Sequence, residues 1–548
     1  MDKLSSTEHS IERIVYQEIE HQRSIPSKKG YLQLSNLLEE LNQPTDAMHI
    51  LQEGLQAYPT SMQLHQATWS FYSKHLIQNG KIKHIPRTIK RCLQKKPVSF
   101  FNILESVLLK NHHNVTYLEL IKAQLQENPY QINLLSKAIQ QLFNLGLFEE
   151  AIPYFETLKA LTKDSKSLAK VNMKMGMVYM LSGNFEEAEK QFLYCRETFA
   201  DILEAIYPDR YEKLVIFNNG ESLIEYYKYI YPTQKVVATF DAIDKTNKAK
   251  PFAYKFLKKK QVDLISLRRR TLNNYHQDLS REDYYQAIKK LVPYYDKRFA
   301  YGTSLGGYHA LYLGSMIPNI KILAMAPRNP AHPIYGTKER KTAKFTHPLS
   351  HPVNKDIQPI VIFDPKERID NPYITKEIMH SYPNGIYKEF HFAGHRVPTY
   401  LRETGVLKEV VSLFLEEKTI PDYHQRLHRK SAEYHRVLGI HCRRHNKLGW
   451  ALDLANKSIE LAPKYDRSLA LRIEILQKLK RYDDCIIYAK DALQLYPNLG
   501  RFYILLADAY EGTGDFINAT EVLKSANKKK IKSRKIKEKL AKLKRKAK

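Results

Sequence analysis

Apolar residues follow helical periodicity through roughly the first two hundred positions and again beyond residue 425. Between these blocks the texture changes to short apolar runs set apart by longer amphipathic stretches: KLVIF, KVVATF, VDLISL, KRFAYG, IKILAMA, PIVIF and KEFHFAG. Runs of strand length that are apolar throughout are buried on both faces, so their alternation with helices predicts a mostly parallel sheet wrapped by helices. A chain of 548 residues is too long for one hydrophobic core. The pattern divides it into helical repeats over 1–204, an α/β domain over 205–420, further repeats over 421–525 and a basic tail over 526–548.

The C-terminal helical block repeats itself. Leu448, Tyr482 and Phe516 are spaced 34 residues apart, as are Ala451, Cys485 and Ala519, and Pro463 and Pro497 keep the same interval. Leu438 with Gly439, then Leu506, Ala507 and Tyr510, fall in register, and Gly514 marks a turn. Small residues at the alanine positions let two antiparallel helices approach, a large residue fills the gap, and proline ends the second helix. Tyr31, Leu34, Ala47, Leu51 and Pro59 fit one N-terminal repeat; Gly146, Phe148, Ala151 and Phe155 fit another; Gly183, Phe185, Ala188 and Phe192 fit a third. About five N-terminal helical pairs are expected, with ragged spacing around 65–130. Both blocks resemble tetratricopeptide (TPR) proteins, which implies superhelical surfaces for peptides, partner proteins or extended ligands.

In the middle region, KRFAYG leads into Gly302-Thr303-Ser304-Leu305-Gly306-Gly307-Tyr308. A G-x-S-x-G string between a strand and a helix makes a turn so sharp that a side chain at either glycine would strike its neighbours, and the turn lifts the serine hydroxyl off the sheet edge. Serine needs a base to take its proton, and the base needs an acid to orient it. Asp364 and Asp370 follow the PIVIF run and His395 follows the last run, each on a loop at the carboxyl edge of a strand, where sites of parallel sheets lie.

Residues 205–420 are similar to the α/β-hydrolase superfamily, with the first strands reduced. The chain is thus read as multidomain, all-α TPR-like repeats flanking a central α/β-hydrolase domain with a mostly parallel sheet. The resemblance implies acyl transfer through a serine ester, with Ser304 as nucleophile, His395 as base and Asp370 as acid, Asp364 being the alternative acid or a loop-shaping residue. It implies the Leu305 N–H as one oxyanion donor and a second from Asp241 or Ala242 in VVATFDAID; the His-Gly pair frequent at that loop is absent. The string Ser304-Leu305-Gly306-Gly307-Tyr308 also resembles some bacterial capsule O-acetyltransferases and carbohydrate esterases, implying an esterase or O-acyltransferase acting on a glycan or surface-polysaccharide precursor. Hydrolysis and transfer are not separated. A TPR scaffold whose hydrolase fold binds without turnover is the alternative.

About ninety residues separate Ser304 from His395, and Asn329–Asp356 is the one candidate lid, too modest for a large interfacial lipase. Arg268, Arg269 and Arg270 after VDLISL, and Arg328 after ILAMAP, are candidates for holding a substrate phosphate or carboxylate, with Arg268 and Arg328 foremost. His391 reads as a packing or surface residue, and His347 and His351 in THPLSHP as part of a proline-rich loop. Cys92, Cys195, Cys442 and Cys485 are scattered without metal-ligand spacing and read as reduced packing residues. No metal or cofactor is expected.

The formal charge is +29, and in the last 25 residues Glu538 is the sole acidic side chain. Such a field attracts polyanions, an anionic membrane surface among them, but no nucleic-acid-reading motif accompanies it, which argues against specific nucleic-acid binding. No apolar run approaches a membrane span, and the start lacks a signal peptide's apolar stretch, predicting a cytoplasmic protein, peripheral at most on the inner face of the membrane.

Overall fold

The computed structural model describes residues 27–40, 43–72, 114–243, 250–271, 274–336, 344–349, 355–422, 425–529, 531 and 533–546. Cys92, His351 and much of the ragged 65–130 stretch lie outside these. The chain divides into two compact units, 1–171 and 172–548. Among the described residues no helix is long and apolar enough to cross a membrane.

The first unit is helical. Helices Lys28–Glu40 and Pro44–Ala57 pair, then Met62–Tyr72 follows; Asn114–Glu127 pairs with Ile132–Asn144, followed by Ile152–Leu161. Ala47, Ile50 and Leu51 pack with Leu34 and Leu38, all nearly inaccessible to solvent. In the second helix of the pair, Gly54 lets Tyr31 approach so closely that a Cβ would lie 2.9 Å from its ring.

The second unit holds the sheet, whose strands are β1 Tyr211–Asn218, β2 Ser222–Tyr229, β3 Lys235–Phe240, β4 Asp263–Arg269, β5 Lys297–Thr303, β6 Lys321–Met325, β7 Ile360–Phe363 and β8 Ile386–Glu389. Their order is β1-β2-β4-β3-β5-β6-β7-β8. Strand β2 runs antiparallel to both neighbours, and β3 to β8 pair in parallel. On one face Val237, Leu264, Phe299, Leu323 and Ile362 bury against helix Leu407–Leu415. The other carries helix Leu305–Tyr312, in which every residue is buried. With both faces covered, the central strands must be apolar throughout, as their sequences are.

The first strands are not reduced: β1 and β2 have eight residues each. Strand β2 escapes the apolar-run pattern because its charged residues are buried in ion pairs. Lys228 meets Asp263 at 3.0 Å, and Glu225 meets Arg268 at 2.8 Å. Helix pair Ser165–Ser182 and Phe185–Thr198 reaches the same spot, with Met180 accepting from the Tyr226 hydroxyl and the Phe192 ring 5.0 Å from the Lys228 ammonium.

After the sheet come three antiparallel helix pairs: Ala432–Arg444 with Leu448–Leu461, Asp466–Lys478 with Tyr482–Leu495, and Gly500–Gly512 with Phe516–Lys528. Ala451, Cys485 and Ala519 are all fully buried where the pairs meet. These are TPR-like repeats. A final helix, Arg534–Lys546, lies on the last pair rather than trailing as solvated chain: Ile536 and Leu543, seven residues apart on one stripe, are fully buried, and Lys539 bridges Asp508 at 2.5 Å and Glu511 at 2.7 Å. Cys195, Cys442 and Cys485 are free thiols.

Candidate active site

Ser304 sits between β5 and helix Leu305–Tyr312 with φ 54° and ψ −120°, a conformation costly for a residue with a Cβ. The flanking glycines have no alternative. A Cβ on Gly302 would fall 2.2 Å from the Gly306 carbonyl oxygen, and one on Gly306 would fall 2.2 Å from that of Phe240. The strain is held from both sides, since the Ser304 N–H donates to Met325 O at 2.9 Å and its carbonyl accepts from Arg328 N at 3.1 Å.

Ser304 Oγ lies 2.8 Å from His395 Nε2, and His395 Nδ1 lies 2.5 Å from Asp370 Oδ2. Asp370 opens the short helix Asp370–Tyr373 and is 1% exposed. Its other oxygen has the Arg328 guanidinium 3.2 Å away as an ion pair, off hydrogen-bonding geometry. A serine, an imidazole and a carboxylate in hydrogen-bonded line can pass a proton from the hydroxyl to the ring while the carboxylate fixes the ring's tautomer.

Asp364 faces elsewhere. Its carboxylate accepts from the backbone N–H groups of Lys366, Phe392 and Gly394, tying the β7 loop to the turn that carries His395. Burial pushes its pKa up and those three donors work against the shift. His391 is half-exposed beyond the end of β8, 3.5 Å from Glu389.

Two expectations need correction. Asp241 has no free backbone donor, because its N–H continues the sheet ladder to Leu267 O at 3.2 Å, and its carboxylate accepts from Arg268 Nε at 2.6 Å. Arg268 is no substrate ligand: it is 1% exposed and spans Asp241 and Glu225 in a buried ion cluster. Its neighbour Arg269 is equally buried and donates to the carbonyls of Ala242 at 2.9 Å and Ile243 at 2.5 Å, so these arginines clamp the loop after β3. Ala242 lines the cavity beside Ser304, and Leu305 provides the first N–H of its helix.

That cavity, of about 590 Å³, runs from the sheet edge to the first repeat helices. Sequence pattern alone does not show that the repeats close it: Glu433, Arg436, His441, Arg444 and Arg467 form its far wall. Glu367 lies on the near side, where burial first and the Asp370 charge second push its carboxyl up. Of the candidate lid, Ala331 and Phe345 pack against Leu305 and Tyr275, and His347 is buried, its Nε2 2.8 Å from Leu279 O.

No protein-family model matches the chain, and no curated protein matches it. Solved structures similar to parts of it include YrrB, a TPR protein with an unusual peptide-binding site, at 17% identity over 35% of this chain and 96% of that one, TM-score 0.20. MamA is similar at 15% identity over 33% of this chain and 94% of that one, TM-score 0.20. A structure of Naa15/Naa10 bound to HypK-THB is 11% identical over 98% of this chain and 64% of that one, TM-score 0.34. The repeat assignment rests on this chain's own helix pairs.

Proposed function

We propose that the sheet domain is of the α/β-hydrolase type and catalyses serine acyl transfer, as an esterase or O-acyltransferase. What supports the reading most is the unbroken line from Ser304 Oγ through His395 to Asp370 at a cavity edge. Ser304 Oγ bonds to the carbonyl carbon of an ester while its proton passes to His395 Nε2. The oxyanion accepts from the N–H groups of Leu305 and Ala242, and losing either donor would cost about 3 kcal/mol of transition-state stabilisation. Collapse breaks the bond to the leaving alcohol, which takes the proton from His395. Water or an acceptor hydroxyl then gives its proton to His395, attacks the acyl-serine and releases the serine.

The acyl-bearing substrate belongs to the class of glycans or surface-polysaccharide precursors, by the resemblance of the Ser304–Tyr308 string. The repeat faces are surfaces for a protein partner, and the cationic outer side of helix Arg534–Lys546 suits an anionic membrane, in a protein that works in the cytoplasm. A scaffold role without turnover is the competing reading, favoured by the helix pairs that make up so much of the chain.

The deciding experiment is p-nitrophenyl acetate hydrolysis and fluorophosphonate labelling by wild type, Ser304→Ala and His395→Ala, with folding checked by circular dichroism. Hydrolysis lost in both variants, with labelling lost in Ser304→Ala, supports acyl transfer. Folded wild type that neither labels nor hydrolyses would leave the scaffold reading in its place.

A further inference from the structure

The charges around the cavity are unevenly matched. Six of its lining residues are cationic (Arg328, Lys366, Arg396, Arg436, Arg444 and Arg467), against two carboxylates, Glu367 and Glu433. Three of the cations are already committed. Arg328 stands 3.2 Å from Asp370, Arg396 donates to the Tyr465 hydroxyl at 3.0 Å, and Arg436 forks onto both oxygens of Glu433 at 2.6 and 2.8 Å.

Glu433 is thereby consumed: burial opposes its charged form, yet the Arg436 fork and the Tyr465 hydroxyl hold its pKa below the usual value. Glu367 is the one other carboxylate in the lining; burial and then the Asp370 charge push its pKa up, while the charges of Arg328 and Arg444 pull it back.

The other three cations are different. The side chains of Lys366, Arg444 and Arg467 make no hydrogen bond or ion pair among the described residues, and Arg444 feels Glu367 only as a more distant charge. They come from three places in the chain: the loop after β7, the C-terminal end of helix Ala432–Arg444 and the first turn of Asp466–Lys478. All three residues are exposed where they line the cavity. That cavity holds the aligned serine, and in it Glu433 is taken by Arg436 and Glu367 alone is left to face three cations, so the lining carries an excess of positive charge open to an anion.

Two guanidinium forks and an ammonium match a group with several oxygens and about two charges better than a single carboxylate, which one fork satisfies. We propose that the ester taken by Ser304 carries a phosphate group, held by Arg444 and Arg467 with Lys366 while the acyl carbonyl lies against the serine. The inference rests on the acyl-transfer reading for its substrate, but the anion site is separately measurable.

Binding of inorganic phosphate, with malonate as the carboxylate probe, is measured by calorimetry at low salt on the full-length Ser304→Ala protein, which cannot turn over. The expected result is saturable phosphate binding, weaker malonate binding, and at least tenfold loss of phosphate affinity in Arg444→Gln/Arg467→Gln. A charge-matched control, Lys457→Gln/Lys524→Gln, alters two exposed lysines that lie outside the cavity lining and should bind as before. In Ser304-intact protein, phosphate should slow fluorophosphonate labelling, and the arginine pair variant should lose that protection. No saturable binding, equal loss in the control, or malonate binding as tightly as phosphate would each overturn the proposal. Absence of labelling with phosphate binding intact would instead remove the acyl-transfer reading and leave the anion site standing.

Discussion

Asp364 accepts the Gly394 N–H at 2.8 Å, one residue before His395, and its second oxygen takes the N–H groups of Lys366 and Phe392 at 2.8 and 3.1 Å. Phe392 and Gly394 both lie in the left-handed region, at φ 61° and 64°, so the turn that aims the imidazole is one the chain would not adopt unaided. Asp364→Asn would place an amide donor against N–H donors. The expected outcome is a loss of about 2–3 kcal/mol of stability, the cost of a buried unsatisfied group, together with a fall in kcat. Thermal melts and p-nitrophenyl acetate kinetics check this; a variant that melts with wild type would show that the turn stands without the carboxylate.

Asp370→Asn should behave oppositely. Its partner is a side chain rather than backbone, so the fold keeps its hydrogen bonds while the imidazole is held in the wrong tautomer. In the well-studied serine triad the equivalent change lowers kcat by about 10⁴, and a loss of that order is expected here with the melting temperature close to wild type. Arg328→Gln removes a largely buried charge 3.2 Å from the far oxygen of Asp370 and leaves the His395–Asp370 bond in place, so it should lower kcat far less than Asp370→Asn while lowering the melting temperature, because a buried carboxylate loses its cation. Equal losses in the two variants would place Arg328 in the chemistry.

Ser304 carries backbone strain that stability alone would not select, and the proposed acyl transfer gives it a use. At φ 54° and ψ −120°, a serine pays roughly 1–3 kcal/mol that glycine avoids. Ser304→Gly should therefore abolish ester hydrolysis and raise the unfolding midpoint in urea, whereas Gly302→Ala, with its Cβ 2.2 Å from a carbonyl oxygen, should unfold far more readily than wild type. A lower midpoint for Ser304→Gly would contradict the strain argument.

What could be read from the sequence was what local sterics or periodicity enforces. The glycines around Ser304 are written by the turn itself, and the 34-residue spacing by helices packing on their neighbours. The choice of Asp370 over Asp364 came from the family resemblance and agrees with the 2.5 Å contact to His395, but the residues alone did not force it, because both lie on one loop and the path of the backbone decides which carboxylate meets the ring. Arg268 was misread because its partners, Asp241 and Glu225, are 27 and 43 residues away in sequence and nothing local marks them. Strand β2 was missed for the same reason: SLIEYYKY looks half-polar until Glu225 and Lys228 find buried partners. Arg444 and Arg467 were invisible as site residues because they belong to a repeat, whose own pattern accounts for them as surface positions.

The Lys228–Asp263 pair offers a test of that buried polar layer. Lys228 is 2% exposed and Asp263 fully buried, with Tyr295 donating to the same carboxylate at 2.6 Å. Burial raises the Asp263 pKa even with the ammonium beside it. Lys228→Met leaves a buried carboxylate short of its cation and should cost about 3–5 kcal/mol, while Lys228→Met/Asp263→Asn should recover part of that loss. Urea unfolding of both variants separates the cases; a double variant less stable than Lys228→Met would mean that Asp263 serves its hydrogen bonds more than its charge.

Acid should weaken this protein through three histidines rather than through its carboxylates alone. His276, His309 and His347 pack together, with ring centroids 5.0 Å apart for the first pair and 5.5 Å for the second. Burial is the main cause that lowers all three, His347 to about 4 and the other two well below the ordinary value, with the Arg269 charge adding to the effect on His276 and His309. In the unfolded chain each ring takes a proton near pH 6.5. Between that pH and the folded value the unfolded state therefore binds more protons, and stability must fall as pH falls. The stabilisation is whole above pH 6.5 and drains away toward pH 4. The melting temperature should be flat from pH 8 to 7 and decline steadily below 6.5, with a shallower decline in His347→Gln. His347 is the ring to change, because it lies at the edge of the cluster and its Nε2 bond to Leu279 O can be supplied by a glutamine amide. A slope identical in wild type and variant would assign the acid sensitivity to other groups.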